Sequence, residues 1–167
     1  MIIRKAEIED LADIMKIYSS CVKGMIALGI DQWDESYPNK EVINSDISSG
    51  SYFVGCIDYE LVSGLTMDQK QDPTYLSIDW EDKTDRFLVV HRLCAKTSVW
   101  SRGIGRKMMA FAEEMALKKE LYSIRLDTYV NNPKAINFYE GLGYQKRGYI
   151  HLKPNKDIYY CFEKLLR

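Results

Sequence analysis

Apolar residues return along this chain at two distinct rhythms. After Glu9, the residues Leu11, Ile14, Met15, Tyr18 and Val22 recur at three- and four-residue steps, the spacing of a helix with one buried face. The same rhythm predicts a second helix over residues 41–47, stopped near Gly50. It predicts a third over residues 104–119, with Ile104, Met108, Phe111 and Met115 on or near one stripe. "PKAINFYEGLG" predicts a short fourth helix, with Pro133 in its first turn and glycine closing it. The other rhythm is that of strands. Residues 2–6, "SYFVGCI" and "ELVSGLTM" read as strands, the last two forming a hairpin across Asp58, Tyr59 and Glu60. "RFLVVHRLCA" is a continuous apolar run of strand length, as a central strand requires. "SIRLDTYV", "YQKRGYIHL" and "DIYYCFEKLL" supply three more strands.

Two segments keep neither rhythm. "GIDQWDESYPNK" reads as a loop given aromatic weight by Trp33 and Tyr37, and "DQKQDPTYLSIDWEDKTD" as a long polar insert around Tyr75 and Trp80. The predicted order β-α-α-β-β-β-α-β-α-β-β places the chain in the α/β (α+β) class, with a mixed sheet and helices on both faces. No internal repeat or low-complexity segment interrupts it.

Composition narrows the function classes. A length of 167 residues fits a single domain spanning residues 1–167. A net charge of −1 gives no overall field to draw the protein toward nucleic acid or a membrane. The four cysteines, Cys21, Cys56, Cys94 and Cys161, lie far apart with no CxxC pair, and only His91 and His151 could help them hold a metal. Reduced thiols fit that pattern better than disulfides or a zinc site. No leader-like start and no membrane-length apolar run is visible, so the expectation is a cytoplasmic protein.

Charge becomes informative at one place. "SRGIGR" joins the central strand to the third helix and crowds Arg102, Arg106 and Lys107 at that helix's start. Cations there oppose the helix dipole, at a cost of about a few tenths of a kcal/mol each. The unpaired N–H groups of a helix's first turn form an anion site, and small residues let a ligand approach them. A bound phosphate would turn the three cations from a liability into a match. A plain turn with solvated cations fits the loop equally well. A dinucleotide fingerprint does not fit, because its third glycine and acidic strand end are missing.

Two motifs together resemble the GCN5-related N-acetyltransferase (GNAT) superfamily. The family has a Gln or Arg, two residues, Gly, any residue, then Gly or Ala, after a strand reading roughly "LAV". This chain has "LCA" at Leu93–Ala95 and then "WSRGIG" from Trp100 to Gly105. The family's "NxxAxxFYxxxGF" is matched by "NPKAINFYEGLGY", from Asn132 to Tyr144. Trp100 departs from the usual Gln or Arg, and Ser101 stands where glycine is common. The resemblance covers almost the whole chain and implies the GNAT fold, with a mostly antiparallel sheet of about six to seven strands.

The resemblance implies acetyl-coenzyme A (acetyl-CoA) as cofactor and acetyl transfer to a primary amine by direct attack through a tetrahedral intermediate. Its pyrophosphate is expected on Ser101, Arg102, Gly103, Ile104, Gly105 and Arg106, largely through backbone amides. The pantetheine arm is expected along Leu93, Cys94 and Ala95, where a backbone N–H would also polarise the thioester carbonyl. Tyr139 sits where the family supplies a proton to the leaving thiolate, and a phenol stays protonated at neutral pH. Asn132 is expected to cap its helix or touch pantetheine. His91 is the candidate base, placed with Leu93 and Ala95 by strand alternation; a histidine satisfied within the sheet is the other reading.

Acceptor binding is expected from Trp33, Tyr37 and Trp80, with Asp79, Glu81 and Asp82 as acids suited to a cationic amine. Aromatics that pin a loop and solvated acids are the plainer reading. The expected acceptor is a small-molecule amine. A protein N-terminal or lysine acetyltransferase and a non-catalytic CoA-binding sensor are the rivals. Family members are commonly dimers, so a homodimer is also an expectation, although no diagnostic patch is visible.

Overall fold

The computed structural model describes residues 1–166. Among them run β1 (Ile2–Lys5), α1 (Leu11–Ala27), α2 (Lys40–Ser48), β2 (Tyr52–Ile57), β3 (Glu60–Asp68), β4 (Phe87–Ala95), α3 (Ile104–Lys118), β5 (Ser123–Tyr129), α4 (Pro133–Gly141), β6 (Gln145–Ile150) and β7 (Tyr159–Leu165). This is the predicted order of strands and helices. The strand order in the sheet is β1-β2-β3-β4-β5-β7-β6. The pairs β1–β2, β2–β3, β5–β7 and β6–β7 are antiparallel, while β4–β5 is parallel. By their internal contacts the residues form two compact units: Met1–Met67 with His91–Ala112, and Asp68–Val90 with the chain from Glu113 on.

The first unit is built on strand alternation in β2. Tyr52 and Val54 join a buried cluster with Ile14, Ile17, Tyr18, Cys21 and Val22 of α1 and Ile43 and Ile47 of α2. Their neighbours face α3 instead: Phe53 lies 5.4 Å from Phe111, ring to ring, and a β-carbon on Gly55 would stand 3.1 Å from the Met108 sulfur. Helices thus cover both faces of this strand. The β2–β3 turn is tighter than predicted, because Glu60 already pairs with Ile57 and only Asp58 and Tyr59 turn the chain. Both have positive φ (47° and 67°), as a two-residue hairpin with the twist of its strands requires.

The second unit shows the same logic in β7. Phe162 faces α4, with its ring 6.1 Å from that of Tyr139. Tyr159 and Cys161 face a buried cluster with Tyr75, Trp80, Phe87 and Val89. The polar insert before β4 is therefore not a free loop. It makes a short 3₁₀ turn over Pro73–Ser77 and buries both its aromatics. The α4 helix closes in a Schellman motif: Gly143 at φ 86° turns the chain, its N–H reaches Glu140 O at 3.0 Å, and Tyr144 N–H reaches Tyr139 O at 3.1 Å. The accompanying apolar contact is the Tyr139–Tyr144 ring pair at 5.9 Å.

Candidate active site

In the first unit the end of β4 runs through a 3₁₀ turn, Thr97–Val99, into α3. Ser101 and Gly103 both adopt left-handed backbone, with φ of 62° and 77°. A β-carbon on Gly103 would meet nothing within 4 Å, so the backbone angle and not crowding accounts for glycine there. The Lys107 N–H bonds Gly103 O at 3.1 Å, which makes Gly103 the residue before the helix and leaves the Gly103, Ile104, Gly105 and Arg106 amides without intrahelical acceptors. The Arg102 amide turns back to Val99 O at 3.3 Å. Arg102, Arg106 and Lys107 are exposed, and among the described residues none forms an ion pair. This arrangement fits a phosphate-bearing group. Because Ser101 carries a β-carbon in glycine's conformation, Ser101→Gly is expected to raise stability by about 0.5–1 kcal/mol in urea unfolding.

The departure at Trp100 has a structural account. Its indole N–H donates to Ala95 O at 2.9 Å, and its ring lies against α1 at Gly24. A β-carbon on Gly24 would come within 2.6 Å of that ring and 2.4 Å of the Thr97 methyl. A glycine inside a helical pattern is the sequence signal for such a close approach, and it went unused in the sequence reading.

The β4 segment His91–Ala95 is irregular. Arg92 has a φ of 53°, left-handed backbone inside a strand, so alternation is interrupted and no longer carries His91 to the face of Leu93 and Ala95. His91 is half-buried and has a partner of its own. The Ala95 carbonyl is committed within the unit, accepting from the Trp100 indole N–H. Cys94 is buried, and desolvation pushes its thiol well above the usual range, which removes it as a nucleophile at neutral pH.

The predicted acceptor residues Trp33 and Tyr37 meet this segment. Trp33 packs edge-on against Tyr18 at 5.6 Å, and the Tyr37 hydroxyl accepts from Arg92 Nη1 at 3.1 Å. Arg92 also reaches Asp46 of α2, with Nε and Nη2 at 2.9 and 2.5 Å from Oδ2. Tyr18, Asp46 and Arg92 were absent from the sequence-based candidates. Nothing in an arginine within an apolar run announces a left-handed backbone.

Tyr139, Asn132 and Trp80 belong to the second unit. Tyr139 is buried, with its ring against Phe138, Tyr144 and Phe162. Burial, and more weakly the Asp127 carboxylate, push its phenol above the ordinary tyrosine range. Among the described residues its hydroxyl has no hydrogen-bond partner. Asn132 caps α4, its Oδ1 accepting from the Ala135 amide at 3.1 Å. Trp80 is buried, donates its indole N–H to Tyr75 O at 3.0 Å and stacks on Arg125, which gives it a packing role. The three acids beside it are paired: Asp79 with Lys83, Glu81 with Arg147, and Asp82 with Thr84 and Ser123. Of the three, Asp79 is a solvated acid; Asp82 is buried, so plain solvation does not describe it.

Comparison with known proteins converges on one family. Residues 11–144 match the Acetyltransferase (GNAT) family. YesJ, an uncharacterized N-acetyltransferase of Bacillus subtilis (strain 168), is 23% identical over 158 residues, or 93% of this chain and 85% of its own. A GNAT-family acetyltransferase from Streptococcus agalactiae 2603 superposes with a TM-score of 0.86 at 25% identity, over 98% of this chain and 94% of its own. The PaiA N-acetyltransferase of Thermoplasma acidophilum, solved in complex with coenzyme A, shares the fold with a TM-score of 0.74 at 20% identity, over 98% of each chain.

Proposed function

The chain belongs to the acetyltransferase (GNAT) family, and on that premise we propose that it transfers acetyl from acetyl-CoA to the primary amine of a small molecule. The observation that carries this reading is the start of α3, where two left-handed residues, four unpaired amides and three exposed cations follow directly on β4. The Gly103, Ile104, Gly105 and Arg106 amides would hold the pyrophosphate, with Arg102, Arg106 and Lys107 neutralising it. The Ser101 hydroxyl would lie beside it. Leu93 would pair with the pantetheine arm, because the Ala95 carbonyl is already taken by Trp100.

When bound, the cofactor supplies an acetyl thioester whose carbonyl carbon is open to an amine. The chain's own residues then have separable tasks. A backbone N–H of the β4 segment stabilises charge on the thioester oxygen. Tyr139 gives a proton to the departing sulfur, for which its raised pKa keeps it protonated. His91, directly or through water, takes the proton of the amine. Trp33 and Tyr37 line the acceptor side of the β4 segment, where aromatic faces suit a cation. Their tight attachment to Tyr18 and Arg92 supports a small acceptor, since a loop drawn down on the strand makes a wall and not a groove.

The test is acetyl-CoA-dependent thiol release with polyamines, amino acids, aminoglycosides, arylalkylamines and short peptides. At least one small amine is expected to raise release well above the hydrolysis background. Activity confined to peptides would overturn the small-molecule assignment. Acetyl-CoA binding without release for any amine would point to a sensor.

A further inference from the structure

Arg92 is held from more directions than any strand residue needs. Its φ of 53° lies in the region that disfavours a β-carbon, and strain that surrounding groups over-determine points to function. A strand carbonyl ordinarily points in the sheet plane at a neighbouring strand. The Arg92 carbonyl instead accepts from the Tyr18 hydroxyl of α1 at 2.9 Å, and the Tyr18 oxygen accepts from the Tyr52 hydroxyl at 3.1 Å. Both phenols are buried, and burial keeps them protonated as donors. The side chain is pinned as well, by the same Asp46 oxygen that accepts from Thr66 Oγ1 at 2.6 Å, and by Tyr37.

A trans peptide sets the carbonyl of one residue antiparallel to the N–H of the next. Turning the Arg92 carbonyl onto α1 therefore aims the Leu93 N–H the opposite way. Further along this segment the Ala95 carbonyl is already taken by the Trp100 indole.

We propose that Tyr18, backed by Tyr52, and Asp46, acting through the Arg92 guanidinium, are positioning residues that hold the Arg92–Leu93 peptide so that the Leu93 N–H donates to the carbonyl oxygen of the acetyl thioester. This rests on the reading above that the β4 segment faces that group, and it assigns the donor to one amide and its aim to four side chains.

The test needs no acceptor amine. Difference infrared spectra of carbonyl-13C acetyl-CoA bound to the wild-type protein and to Tyr18→Phe report how strongly the carbonyl is polarised. Calorimetry with CoA reports binding apart from the acetyl group. The wild-type carbonyl band is expected below its position in free acetyl-CoA. In Tyr18→Phe it returns toward the free position while the CoA Kd stays within about twofold, since the loss of one neutral hydrogen bond acts only through the amide. With an active amine, kcat falls about tenfold and KM for acetyl-CoA holds. If Tyr18→Phe does not fold, Asp46→Asn carries the comparison and is expected to return the band part of the way. An unchanged band in a folded variant overturns the proposal, as does a wild-type band at the free position. Failure of the wild-type protein to bind acetyl-CoA would instead overturn the reading on which the proposal rests.

Discussion

Glu163→Ala is expected to cost about 3–5 kcal/mol of stability, because it leaves a buried guanidinium without its carboxylate. Glu163 lies on β7 and is 1% exposed, and Arg125, opposite it on β5, is 3% exposed. Their closest approach is Arg125 Nε to Glu163 Oε1 at 3.5 Å. The guanidinium is packed between rings, 4.1 Å from the centroid of Phe87 and 4.6 Å from that of Trp80. Glu163 also accepts the backbone N–H groups of Glu81 and Asp82, at 2.7 and 3.3 Å, and Arg147 Nε at 3.2 Å. Its removal therefore orphans two amides besides the cation, and each unsatisfied buried group adds its own desolvation cost. The segment 79–86 is expected to become sensitive to protease at the same time. An exposed pair in the same unit provides the contrast: Asp79 and Lys83 touch at 2.5 Å with side chains 94% and 68% exposed. Asp79→Ala should leave the unfolding midpoint essentially unchanged. Urea unfolding measures both, and a loss below about 1 kcal/mol for Glu163→Ala would show that the cluster is not what fastens the insert.

That cluster marks where the sequence stopped being legible. Among the described residues, periodicity together with glycine and proline stops located the seven strands and four α-helices but not the 3₁₀ turns, since a buried face repeats within a few residues of itself and needs no knowledge of the partner. The α1 stripe and the apolar run of β4 are of this kind. Arg125 and Glu163 are not, because their charges make sense only once β5 and β7 are paired. The insert read as polar for the same reason, as Tyr75 and Trp80 are buried by residues distant in sequence. At the candidate site, the helix start was legible through its glycines and cations, and the end of α4 through its motif. The turn of the backbone at Arg92 was not. Its cause is spread over Tyr18, Tyr37, Asp46 and Tyr52, none of which is near it in the chain.

Tyr139→Phe should lower kcat by about a hundredfold while leaving the KM for acetyl-CoA nearly unchanged, as loss of a general acid does. Phenylalanine keeps the ring contacts with Phe138, Tyr144 and Phe162 that place this residue, so folding is expected to survive. Only the hydroxyl is lost, and among the described residues no hydrogen bond depends on it. The pH dependence separates this role from a packing role. Burial and the Asp127 carboxylate both favour the neutral phenol, so its folded pKa lies above the ordinary value. A group shifted in that direction keeps its proton as pH rises through its usual range. No alkaline fall in wild-type kcat from Tyr139 is therefore expected up to about pH 10, where an unperturbed tyrosine would be half ionised. The ratio of wild-type to variant kcat should stay level from about pH 6 to about pH 10, because the acid is fully protonated throughout. A drop of less than about threefold would assign Tyr139 to packing alone. A ratio that shrinks toward high pH would mean that the phenol ionises within this range, contrary to its buried setting.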